Sequence, residues 1–140
     1  MTDSDAPSPT TSSPATPRIP VSWGELIDKI TILEIKREEL SGVARENVER
    51  ELSLLLEAAG AAAQVGALAP LRDLLKAINR ELWDTVEKIR EKEAAQAFDQ
   101  ELIALARAIY QRNDARFAVK QRINALLASE IIEERSPRGG

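Results

Sequence analysis

The sequence predicts an all-α fold, an antiparallel helical bundle of about four helices behind a disordered N-terminal tail. Three observations carry that prediction. Apolar residues recur at helical spacing along most of the chain, cap residues stand in front of the apolar runs, and strand-like alternation appears nowhere. At 140 residues and 44% hydrophobic content, the chain is about one domain's worth and supplies enough apolar side chains for one core.

Taken in order, residues 1–18 are Ser, Thr, Pro, Ala and Asp with little to bury, and are expected to form a flexible tail. The bundle is expected over 19–135, with 136–140 loose. Its first helix has two start signals: Ser22 and Glu25 form a capping box, and Val21 can staple to Leu26. It is expected to run to about Leu40, where Ser41 and Gly42 supply a stop. Val48, Leu52, Leu55 and Ala59 mark a second helix from about Ala44 to Ala59, and the uncharged stretch Gly60 to Ala69 reads as a connection. Pro70 suits the first position of a third helix, whose stripe of Leu71, Leu75, Ile78, Leu82, Val86 and Ile89 ends near Ala97. Phe98 and Asp99 restart the pattern as a staple to Ile103 and a cap. The last helix is expected from about Gln100 to Ser129, with a local break at Asn113 and Asp114, which compete for backbone bonds. Short connections then imply antiparallel neighbours.

The chain has no cysteine and no histidine, which removes thiol and imidazole chemistry and the metal sites built on them. No metal and no cofactor is expected, and a non-enzyme is favoured over an enzyme. The net charge of −4, with both signs interspersed, argues against nucleic acid. Neither a membrane-spanning stretch nor a secretory leader is present in the sequence, so the cytoplasm is the expected compartment.

The features that point beyond a plain bundle are polar residues inside apolar arcs. On a helical wheel of the last helix, Asn113, Arg116, Lys120 and Asn124 sit amid Leu102, Ile103, Leu105, Ile109, Tyr110, Phe117, Ile123 and Leu127. Glu34 lies in the apolar side of the first helix, between Trp23, Ile27 and Ile30. On the third helix Asn79 and Arg90 flank Trp83, and Glu93 stands where a Leu is expected. An unpaired buried charge costs several kcal/mol, so these groups must pair, reach water or bind something. Three readings follow. In the first, Glu34 and Glu93 pair with Arg116, Lys120 or Arg90 in an internal network. In the second, Glu34, Asn79, Arg90, Asn113, Arg116, Lys120 and Asn124 line a polar cleft in which Arg116 and Lys120 clamp an anionic small molecule. In the third, the same groups set the register of a homo-oligomer. Trp23, Trp83, Tyr110 and Phe117 read first as packing anchors, and Lys29, Lys36, Glu25 and Glu39 as a charged outer face.

Several segments together resemble an uncharacterised bacterial family, domain of unknown function 6165. They are VSWGELIDKITILEIK from Val21, INRELW from Ile78, the IR and E around Ile89, Arg90 and Glu93, FDQELIALARAIYQRNDARFAVKQRIN from Phe98, and the EE at Glu133. The matching residues include Glu34, Asn79, Trp83, Arg90, Asn113, Asp114, Arg116, Lys120 and Asn124. The chain departs from the pattern after Glu133, where EERSP replaces an expected EEKSY. The resemblance implies a small helical protein with no assigned catalytic residue, acting as a binding or accessory module linked to glycosyltransferase or surface-polysaccharide machinery. With the homo-oligomer reading above, the expected partner is either a glycosyltransferase or a second copy of the chain.

Overall fold

The computed structural model describes residues 14–137. It contains four helices and, among the described residues, no strand: α1 (Trp23–Glu39), α2 (Gly42–Ala59), α3 (Leu68–Ala94) and α4 (Gln100–Leu126), with a 3-10 turn over Gly60–Gln64. Of the expected 1–18 tail, residues 14–18 are exposed and carry no regular structure, and 1–13 lie outside the described residues. The last three residues of the chain also lie outside them.

The caps form where the sequence places them. Ser22 Oγ accepts from the Glu25 amide at 3.0 Å and Asp99 Oδ1 from the Leu102 amide at 3.0 Å, each satisfying a free donor of a first helical turn. Several boundaries differ from expectation, among them the end of α4, at Leu126 instead of Ser129. Gly42 does not terminate α1, which ends at Glu39 with extended Leu40 as its cap; it opens α2 at φ +63, a left-handed conformation that glycine adopts without strain. Residues 68 and 69 already belong to α3, which stops at Ala94 with Gln96 at positive φ. The break expected at Asn113 and Asp114 is absent and α4 runs straight through. Both side chains are engaged elsewhere, Asn113 with Arg116 and Asp114 with Arg135, and so do not compete for the helix backbone.

Helix α1 is the hub, packing on α2, α3 and α4, while α3 and α4 make the most extensive pair. The core is Leu26, Ile27, Ile30 and Leu33 of α1 against Val48 and Leu52 of α2, Leu68, Leu71, Leu75 and Ile78 of α3, and Val119 and Ile123 of α4. This burial uses only the first half of α3 and the last half of α4. Between Arg80 and Ala118 no residue is buried. That stretch is an αα-hairpin projecting beyond the core, α3 extending about 20 Å past Leu82 at 1.5 Å per residue.

The charged residues of α1 that face α3 form a ladder. Glu34 pairs with Arg72 at 2.6 Å and Lys76 at 3.7 Å, and Glu38 and Glu39 pair with Lys76 and Arg80. The expectation that Glu34 meets Arg116 or Lys120 is therefore incorrect. Its side chain turns toward the start of α3, where two cations lie on the facing surface.

Candidate functional site

The first turn of α1 is closed by the far end of the chain. Its free amides are each taken by a protein oxygen: Trp23 N–H donates to Ser129 Oγ at 3.1 Å, Gly24 N–H to Asn124 Oδ1 at 2.6 Å, and Glu25 N–H to Ser22 Oγ. The helix end thus offers no vacant donors to an external anion. Gly24 is required by this crossing, because a Cβ there would lie 2.5 Å from the Lys120 carbonyl oxygen and 3.0 Å from Asn124 Oδ1.

Below that crossing, Lys120 lies buried between two carboxylates, Glu25 at 2.7 Å and Glu133 at 2.8 Å. Glu133 also accepts from Ser22 Oγ at 2.6 Å, and its backbone carbonyl accepts from Gln121, which in turn accepts from Asn124. Burial alone would push the Lys120 ammonium down, but its bonds to Glu133 and Glu25 outweigh burial and hold its pKa above the ordinary lysine value. For Glu133, burial works upward and is overcome by Lys120 and Ser22, which hold the carboxyl below its ordinary value.

One turn deeper, Asp28 is completely buried. Arg116 grips it with Nε at 3.1 Å from both oxygens and Nη2 at 2.6 Å from Oδ2, and Asn79 of α3 donates to it at 2.8 Å while also donating to Thr31 at 2.9 Å. Burial disfavours the Arg116 charge, yet its bonds to Asp28 raise its pKa above the usual arginine value. The C-terminal segment finishes the assembly: Arg135 pairs with Asp114 at 2.9 Å and lies 4.5 Å over the Phe117 ring.

Of the seven residues singled out in the sequence, Asn79, Arg116, Lys120 and Asn124 come together in this network, and Asn113 sits at its edge, 3.4 Å from Arg116. Glu34 belongs to the surface ladder instead, and Arg90 is exposed on the hairpin. Glu93 is exposed too and pairs with none of the cations proposed for it. The carboxylates that neutralise Arg116 and Lys120 are Asp28, Glu25 and Glu133. Glu25 is half-buried rather than part of an outer face, and its carboxylate goes to Lys120 rather than back to the Ser22 amide. The signal for Asp28 was present in the sequence: Gly24, Asp28, Thr31 and Ile35 are spaced four, three and four residues apart, one stripe of α1 beside the larger apolar residues. Glu133 follows the last helix and carries no periodic signal.

Beside the network lies a cleft of about 400 Å³ in the angle between α1 and the projecting part of α3. Its walls are Ile32, Ile35, Leu82, Trp83 and Val86, its floor Asn79 and Arg116, and Glu87 and Arg90 stand at its rim. A second cavity of about 300 Å³ lies by the 3-10 turn, under the Glu34–Arg72 pair. Among the described residues no cluster of three acidic side chains has metal-binding geometry, and no helix is long and apolar enough to cross a membrane.

Fold and site together define a small all-helical domain in which α1, α3 and α4 are tied by a buried polar network and the outer halves of α3 and α4 project as a hairpin. The chain belongs to a family of unknown function (DUF6165), whose model matches residues 18–138. No curated protein and no solved structure is significantly similar to it.

Proposed function

We propose that the protein is a non-catalytic binding module that docks a partner on the α3–α4 hairpin. The observation that carries this reading is the absence of any buried residue between Arg80 and Ala118. Beyond Leu82 and Ala115, which still pack on the core, the two helices leave much of their apolar stripes uncovered, and stable helical layers bury such stripes against a further element. On the hairpin Val86, Phe98 and Ile103 are exposed, Phe98 to 62% at the tip. A rigid base holds the hairpin out, because α1, α3 and α4 are tied by Asp28, Arg116 and Asn79 where the projection begins.

An anionic-metabolite site built from Arg116, Lys120 and Glu34 has less support. Arg116 and Lys120 are already matched by Asp28, Glu25 and Glu133, three acids against two bases, which leaves no surplus positive charge there to attract an anion. A glycosyltransferase is the heterologous partner to test first, on the sequence resemblance alone.

A photo-reactive amino acid placed at Val86 or Phe98 in the full chain tests the reading inside the cell. Discrete cross-linked adducts are expected from both positions and none from Glu51, on the outer face of α2. Absence of adducts at the two hairpin positions, with the chain folded and expressed, overturns the docking role.

A further inference from the structure

The exposed face of α3 is self-complementary, and we infer that the partner on the hairpin is a second copy of this chain, bound antiparallel through α3. This rests on the hairpin being a docking surface. Trp83, Glu87, Arg90 and Ala94 are spaced four, three and four residues apart, so they form one stripe along the projecting half of α3. The same face further back is covered by α1 and comes free where α1 leaves it, at the cleft between Ile35 and Trp83.

Read in chain order, the stripe runs large apolar, acid, base, small apolar. Laid antiparallel about a two-fold axis between Lys88 and Ile89, it places Trp83 against the second copy's Ala94 and Glu87 against its Arg90, and the reverse pairs follow by symmetry. A parallel copy instead sets Glu87 on Glu87 and Arg90 on Arg90, which repels. Neither Glu87 nor Arg90 has an ion-pair or hydrogen-bond partner among the described residues, so both are free to pair across an interface, whereas Arg80, Glu81 and Lys92 are already taken by Glu38 and Glu39, by Arg112, and by Asp99 and Glu101. The register also supplies an occupant for the cleft. Beyond the end of α3 the chain turns at Gln96, and the second copy's hairpin tip, which carries Phe98, falls at the cleft end of the stripe, where Ile32, Ile35 and Leu82 form the apolar walls. The most exposed aromatic side chain and the apolar cleft thus meet twice in one symmetric pair.

Charge exchange tests the pairing on the full chain, since both residues are exposed and their replacement leaves the core untouched. Sedimentation velocity at micromolar concentration is expected to show a dimer for the unaltered protein. Glu87→Arg and Arg90→Glu, each alone, set like charges against each other at both symmetric positions and should weaken the dimer roughly tenfold or more. Mixing the two variants restores both pairs in a heterodimer, and the double exchange Glu87→Arg/Arg90→Glu restores the homodimer. Circular dichroism checks that every variant keeps its helices, and the double exchange decides the matter if a single variant does not. A monomeric unaltered protein, dimers insensitive to either single change, or a mixture that does not reassociate would each overturn the inference. A monomer whose position 86 still cross-links to a different protein leaves the binding module standing and removes only the second copy.

Discussion

Asp28 has no solvent exposure and four hydrogen bonds, three from Arg116 and one from Asn79, so its charge is held by partners that α3 and α4 bring to it. Removing one member of such a pair strands the other in the interior. Arg116→Met is expected to cost about 3–5 kcal/mol in urea unfolding, and adding Asp28→Leu should recover a large part of it, because apolar replacement of both members is often near neutral. Lys120→Met with Glu34→Leu should behave oppositely. These two residues share no partner, so their effects should add to within about 0.5 kcal/mol. At this scale the sequence disclosed the cations and amides but not their acids. Arg116, Lys120, Asn79 and Asn124 stand out as polar residues inside apolar arcs, and a wheel can show that. Which carboxylate answers them depends on how two helices cross, and periodicity within one helix contains no information about the crossing.

At the scale of elements, the crossing of α1 and α4 depends on Gly24. The atom nearest an added methyl is a backbone carbonyl oxygen of α4, which cannot rotate away as a side chain does. Gly24→Ala should therefore force the helices apart and destabilise by about 1–3 kcal/mol or more, judged by thermal unfolding, with Asn124 losing its bond to the residue 24 amide. Gly66, whose added Cβ would meet nothing within 4 Å, is the control, and Gly66→Ala should be neutral or slightly stabilising. All four helices were legible from apolar spacing and caps, since these are local properties of the chain. The hairpin was not. Leu82, Val86 and Ile89 continue the stripe of Leu71, Leu75 and Ile78 without interruption, and nothing in that continuity records that α1 covers only its first half. The helix that ends an apolar contact is encoded elsewhere, in the stop after Glu39.

For the molecule as a whole, the Lys120–Glu133 joint ties stability to pH at both ends of the range. Glu133 has its folded pKa depressed, so its contribution is complete above the unfolded value near 4.5 and is lost as pH falls through the lower folded value. Lys120 has its folded pKa raised; its contribution is complete below the unfolded value near 10.5 and is lost as pH rises through the higher folded value. The urea midpoint should therefore be flat across neutral pH and fall at both extremes. Glu133→Gln should lower the plateau, and its difference from the unaltered protein should shrink as pH drops below about 4.5.

The same joint sets an order of events during synthesis. Ser22 and Glu133 are 111 positions apart, Gly24 and Asn124 are 100, and Asp28 and Arg116 are 88, so the first helix is completed by residues made long after it. At the usual elongation rate of about 5–20 residues per second, Asp28 is joined to the chain roughly 4–18 s before Arg116 exists. Helices α1 and α2 can pair in that interval through Ile27, Ile30 and Leu52, but the stripe of α1 carrying Gly24, Asp28 and Thr31 must stay wet until α4 arrives. The domain therefore cannot close before Glu133 has emerged, and a chain stalled short of it keeps its opening helix unlatched.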